Sequence, residues 1–233
     1  MKILGLDSSG LVASVAIVCD DNMLGEYTVN YKKTHSQTLL PMIDEIFSMV
    51  QLKPDDVDVI AVSKGPGSFT GLRIGAATGK GIALAIDKKM VAVPTLAAMA
   101  YNLYGDSRYI CPVMDARRKH LYSGIYTFDG DRLITVRDVN LESYDELAEE
   151  LAGLDGQVVL VGDGVDVAGD VLKEQLGDKC VLAPAHIKTQ RAGSVALLAK
   201  QMADNGEYTD ADELKPDYLR PSQAEREKAQ HES

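Results

Sequence analysis

The sequence predicts an α/β protein made of two related halves, with a boundary near residue 100. Three observations carry this. Each half opens on strand-type segments joined by short turns and then alternates helical and strand patterns. Short apolar runs, DVDVIAVSKGPG and QVVLVGDGV, end in glycine turns in both halves. Hydrophobic residues at 45% and charged residues at 25% of 233 positions are ordinary globular values, with enough material for real cores.

The elements follow in order. MKILGLDSS and LVASVAIVCDDNMLGEYTVN read as consecutive strands, with Asp20-Asp21-Asn22 as a turn. THSQTLLPMIDEIFSMVQ is a helix opened by Thr34 or Ser36, and Pro41 is tolerable near its start. A buried strand, DVDVIAVSKGPG, leads into the helix LRIGAATGKGIALAIDKK, and KMVAVPTLAAMAYNLY gives a strand and a third helix. RYICPVMDARRKHLYSGIYTFDGDRLITV then reads as three strands with turns at Arg117–Lys119 and Asp129-Gly130. Helices are expected at about 144–151, 168–176 and 192–205, with the buried strand QVVLVGDGV after the first of them. The end, SQAEREKAQHES, is highly polar and reads as a frayed tail.

Composition excludes several functions. A net charge of −11 disfavours dominant contact with a polyanion, because neutralising phosphates takes clustered Lys and Arg. Cys19, Cys111 and Cys180 are widely spaced and form no CxxC or Cys/His pattern, which argues against a disulfide framework or zinc site. The apolar run before Asp7 is too short for a signal peptide, and no segment approaches 18 apolar residues. A soluble cytosolic protein is expected.

GPGSFTGLRIG, residues 65–75, is the chain's strongest local signal. It fails as a P-loop, since Gly79-Lys80 lacks the required glycine spacing and Gly81 stands where Ser or Thr is needed. GxGxxG fails because Gly71, not residue 70, is the next glycine, and Ser68 lacks the glycine of a nucleophile elbow. Ser68 and Thr70 instead suit a loop and helix cap. Gly75, Gly79 and Ala83 recur every fourth residue and permit close backbone approach, although each interior glycine costs roughly 0.5–1 kcal/mol against alanine. In the preceding helix, Leu39, Leu40, Met42, Ile43, Ile46, Phe47, Met49 and Val50 span about 180°, wider than the usual surface-helix stripe. That arc is either a wide core face or a core face extended into a binding surface by Met42 and Met49.

Other groups leave alternatives open. Asp7, Ser8 and Ser9 follow the first strand and either face a nucleotide or metal or close a hairpin turn. His35 lacks a helical metal partner, since the i+4 position is Leu39, and His120 and His186 lack partners at ligand spacing. Asp115 precedes the basic turn Arg117-Arg118-Lys119, either a solvated turn or a contact for an acidic partner or RNA phosphate. Gly162-Asp163-Gly164 is either a nucleotide-side turn or a plain strand–helix turn.

LGLDSSGLVASVAI, HSQTLLPMID, KGPGSFTGLRIGAATGKGIALA, PVMDARRKHLYSGIY and KPDYLRP, in this order over most of the chain, resemble the TsaB (YeaZ) family. The resemblance implies the actin-like, sugar-kinase-like fold, with residues 1–100 and 101–221 as the two α/β domains and 222–233 as a disordered tail. It implies a non-catalytic partner of a TsaD-type threonylcarbamoyltransferase, working with a TsaE-type ATPase on the adenosine beside the tRNA anticodon. The chain would form a homodimer when the partner is absent and meet tRNA mainly through partners. Partner contact would use Leu39, Met42, Ile43, Ile46 and Met49 on one helix and Leu72, Gly75, Ala76, Gly79, Lys80 and Ala83 on the next. On that expectation, Gly79→Leu blocks docking and spares the fold. Asp7, Ser8, Ser9, Asp115, Arg117, Arg118, Gly162 and Asp163 would be a vestigial nucleotide site. The second position of the catalytic relatives' HxxxH is Leu39, and Asp163 puts a carboxylate where those relatives need room for a nucleotide. No metal or cofactor is expected, and ATP and Mg²⁺ would be used by the assembly without hydrolysis by this chain. The alternative is a kinase-like enzyme or metallopeptidase of the same superfamily, with Asp7 and Asp115 holding Mg²⁺.

Overall fold

The computed structural model describes residues 1–31 and 34–219. Its first sheet holds β1 (Lys2–Asp7), β2 (Ala13–Cys19), β3 (Asn22–Val29), β4 (Val59–Gly65) and β5 (Lys89–Pro94), in the order β3-β2-β1-β4-β5. Between these lie helices α1 (His35–Met49) and α2 (Phe69–Ala85), and α3 (Thr95–Tyr101) follows. The second sheet repeats the plan with β6 (Tyr109–Arg117), β7 (His120–Asp129), β8 (Arg132–Ser143), β9 (Val158–Val161) and β10 (Cys180–Leu182), ordered β10-β9-β6-β7-β8. Its helices are α4 (Tyr144–Gly153) and α5 (Val165–Leu176), followed by α6 (Ala185–Lys188) and α7 (Ala192–Asp204). In each sheet three strands pair antiparallel and two more join in parallel through helical crossovers.

Two sheets and three helical layers account for the apolar sequence. α1 and α2 cover the outer face of the first sheet through Leu4, Leu6, Ile60 and Val62. α4 and α5 cover the outer face of the second through Cys111, Val113, Val158 and Leu160. α3 and α7 share the middle, where Ile3 and Val91 of one sheet and Ile110 and Val159 of the other join a single cluster. The central strands are therefore covered on both faces, and β2, ASVAIVC, is buried almost throughout rather than alternating.

α7 follows the second sheet in sequence yet packs on the first. A Cβ on Gly5 of β1 would lie 2.5 Å from the Ala192 carbonyl and 3.0 Å from the Ala196 Cβ, so the close approach needs glycine there. The next segment also returns to the first half. Met90 and Thr209 form an antiparallel bridge, Leu214 joins the cluster under α1 and α2, and the Asp217 amide donates to the Lys64 carbonyl at 2.7 Å.

The expected strands and helices are present, most with small shifts, though β8 runs on to Ser143, past the expected end near Val136. α5 starts at Val165 rather than about 168, and α4 runs on to Gly153. Two elements escaped the reading, β10 and α6, of three and four residues, because pieces so short show no period. The expected tail at 222–233 lies outside the described residues. No helix among the described residues is long and apolar enough to cross a membrane.

Candidate functional site

Two regions hold the residues singled out by sequence: the α1–α2 pair and the space between the halves. α2 begins where the Ser68 side chain accepts the Gly71 amide. From there Leu72, Gly75, Ala76, Gly79 and Ala83 are all buried against the first sheet. A Cβ would lie 2.4 Å from Ser8 Oγ at Gly75 and 2.5 Å from Val62 Cγ2 at Gly79. The small-residue row is a helix-to-sheet contact inside the chain. In α1, Leu39, Met42, Ile43 and Ile46 are buried in the same core.

Most of the expected docking residues are thus buried within this chain. Of those named, only Met49, 67% exposed, and the partly buried Lys80 reach solvent. The outward rows are Leu40, Asp44 and Ser48 on α1, and Arg73, Ala77 and Gly81 on α2, with Leu84 on the same face. Leu40 and Leu84 are 60% and 61% exposed, and a Cβ on Gly81 would meet nothing within 4 Å. α2 is small or apolar nearly all round, so periodicity did not tell its inward glycine row from its outward one. Arg73 marks the outward row and was the available signal. Its guanidinium lies 3.9 Å from the Phe69 ring centroid, and its Nε donates to the Tyr218 hydroxyl at 3.1 Å.

In the second region, Asp7 ends β1. Its Oδ1 accepts the Ser9 amide at 2.9 Å and the Ser9 hydroxyl at 2.7 Å, and its Oδ2 accepts the Ser63 hydroxyl at 2.5 Å. Ser8 donates to the Gly71 carbonyl, and the Ser68 amide donates to the Ser9 carbonyl. Asp7, Ser8 and Ser9 are all buried, and burial pushes the Asp7 carboxyl up despite its hydrogen bonds. These three residues tie the first turn to the GPGS loop.

Asp115 lies near the end of β6, the matching strand of the second sheet. It accepts the Arg117 amide at 2.8 Å and pairs with that guanidinium at 3.2 Å, while Arg117 and Arg118 are exposed. Gly162 has φ +116°, and a Cβ there would lie 2.1 Å from the Val113 carbonyl, so the turn requires glycine. Asp163 follows with its Oδ1 buried and without a hydrogen-bond partner. Burial, with some help from Asp115, pushes its carboxyl up to about 6.

Sequence reasoning missed Gln190. It is fully buried beside Asp163, neither side-chain amide atom makes a well-aligned hydrogen bond, and it packs on Gly10, where a Cβ would lie 2.4 Å from its Nε2. Its segment is held by Asn102, whose Nδ2 donates to the Ile187 and Thr189 carbonyls at 2.9 and 2.8 Å. Nothing in the sequence marked a glutamine between α6 and α7. Among the described residues no three His, Cys, Asp or Glu side chains gather as metal ligands.

Comparison with known proteins decides the family. Residues 22–228 match the family model for TsaD, tRNA N6-adenosine threonylcarbamoyltransferase. The chain is 31% identical to the tRNA threonylcarbamoyladenosine biosynthesis protein TsaB of Bacillus subtilis, covering 97% of this chain and 96% of that one. The chain belongs to the TsaB family. The Escherichia coli TsaB is 30% identical, over 94% of this chain and 95% of that protein. YeaZ from Pseudomonas aeruginosa superposes with a TM-score of 0.81 at 26% identity, covering 94% and 99% of the two chains. A ROK hexokinase from Thermus thermophilus, 13% identical with a TM-score of 0.51 over 88% of this chain and all of that one, shares the fold alone. The expected actin-like, sugar-kinase-like architecture is thus the observed one.

In this TsaB chain the raised Asp163 carboxyl has a consequence for stability. Its value rises from 3.8 to about 6 on folding, so the folded state holds the proton more tightly than the unfolded state. Stability is therefore highest below about pH 4 in this contribution and falls as pH rises through about 6. Asp163→Asn is expected to raise stability by on the order of 2 kcal/mol at pH 7.5 and to change little at pH 4, measured by denaturant unfolding. An equal gain at both pH values would mean that the charge is not the cause.

Proposed function

We propose that this chain is a non-catalytic subunit in tRNA threonylcarbamoyladenosine synthesis that supports a TsaD-type threonylcarbamoyltransferase by docking it on the outer face of α1 and α2. The observation that carries the reading is the solvent-facing strip itself: Leu40 and Met49 on one helix, Ala77, Gly81 and Leu84 on the next. Exposed leucines beside small residues favour a second helical surface, because the small side chains let helices approach closely and the leucines bury apolar area. The states of Asp7 and Asp163 support the absence of chemistry in this chain. Asp7 already accepts three internal hydrogen bonds, and a carboxylate at Asp163 repels phosphate. In this reading a TsaE-type ATPase joins the assembly in the cytoplasm, ATP and Mg²⁺ are used there and not by this chain, and tRNA is met mainly through partners. The chain alone pairs with itself.

Sedimentation of the purified chain, alone and mixed with a TsaD-type subunit from the same organism, tests this. A homodimer that exchanges into a one-to-one heterodimer is the expected outcome. A monomer indifferent to the partner would sink the reading. Calorimetric titration with Mg-ATP should show no turnover by the isolated chain.

A further inference from the structure

The β6–β7 hairpin carries a conflict between backbone and side chains. Arg117 pairs with His120 across it, leaving Arg118 and Lys119 as a two-residue loop. Arg117, Arg118 and Lys119 have φ of +69°, +56° and +58°, all in the left-handed region. Two-residue loops with positive φ at both central positions favour Asn-Gly or Gly-Gly, since an L side chain is strained there. The neighbouring β7–β8 turn places glycine at its positive-φ position, Gly130 at +63°. At the β6–β7 tip the chain instead holds two long cations.

The tip backbone is also held by side-chain hydrogen bonds, and its outer charges are unpaired among the described residues. The Arg117 amide is fixed by Asp115, and His120 Nδ1 donates to the Arg118 carbonyl at 2.8 Å. The Arg117 guanidinium is committed to Asp115. Glu146, the carboxylate near His120, is taken by the Ser143 amide and hydroxyl at 2.8 and 2.7 Å. Arg118 and Lys119 are exposed and make no ion pair among the described residues. Strained residues persist where the surroundings fix them and cluster at functional sites.

We propose that Arg118 and Lys119 clamp backbone phosphates of a folded RNA, which gives this chain a direct RNA contact. The inference rests on the proposed role in tRNA modification. A guanidinium fork matches a phosphate's two oxygens, and the lysine beside it supplies a point charge. The chain as a whole carries −11, so a phosphate backbone would be repelled from its acidic surfaces and favoured where adjacent cations are exposed, as at this tip. An acidic protein surface is the competing ligand, and the test separates the two.

The variant is Arg118→Gly with Lys119→Gly in the full chain, assembled with the TsaD-type subunit. Glycine suits the left-handed backbone, so thermal unfolding should occur at the same or a higher temperature. Binding of an unmodified tRNA transcript should weaken about tenfold near physiological salt, and the slope of log affinity against log salt should flatten by about 1–2. Heterodimer affinity by sedimentation should be unchanged. Unchanged tRNA affinity and slope would overturn the proposal. So would weaker heterodimerisation with an unchanged salt slope, which assigns the tip to an acidic protein surface. Should the wild-type chain fail to bind the TsaD-type subunit, the functional reading fails separately. Retention of the same transcript by the chain alone at low salt then decides the RNA contact, and equal retention of variant and wild type overturns it.

Discussion

Leu84→Glu combined with Ala77→Glu is expected to weaken heterodimerisation with a TsaD-type subunit by about a hundredfold or more, with thermal unfolding of the isolated chain unchanged. Burying an unpaired carboxylate in an apolar contact costs several kcal/mol, and about 1.4 kcal/mol is a tenfold change in affinity. In the free chain both positions face solvent, and glutamate is a good helix former. Sedimentation with the partner and thermal unfolding of the variant read the two quantities separately. Full affinity in the variant would remove the outer face of α2 from the contact.

Gly79→Leu should do the opposite, lowering stability by about 3 kcal/mol or more before any partner is added. The added Cβ would lie 2.5 Å from Val62 Cγ2 and 3.0 Å from the Met90 methyl, so the rest of the side chain must displace α2 from β4 and β5. Better helix propensity returns only about 1 kcal/mol. Denaturant unfolding of the purified variant is the measurement. A stable Gly79→Leu chain that has lost only its partner would mean that the inward row turns outward on docking.

Much of the fold was legible because long elements carry their own period. The α1 arc, the GPGS cap before α2 and the two apolar strands β4 and β9 all stand where pattern and turn chemistry put them. β10 and α6 were illegible because three or four residues cannot show a period. The outer face of α1 and α2 was half legible. The sequence marked α2 as close-packed through Gly75 and Gly79, but close packing does not say against what. Val62 and Met90 are the answer, and they come from strands that pair with neighbours far along the chain. The space between the halves was least legible. Asp7 and Asp163 stood out as carboxylates after strands, whereas Gln190 reaches Gly10 across 180 positions of sequence, a proximity that only the assembled sheets create.

The packing of α7 and the segment around Thr209–Asp217 on the first sheet also bears on the order in which the protein can be completed during synthesis. Residues 1–101 contain every strand of that sheet, yet Gly5, Met90 and Lys64 all await contacts from residues beyond 190. A nascent chain that has emerged only as far as α3 therefore exposes one face of β1 and the open edge of β5 while the second half is still being made. Unpaired edges and uncovered apolar faces are where partly folded chains associate wrongly. The half that leaves the ribosome first is the last to be finished.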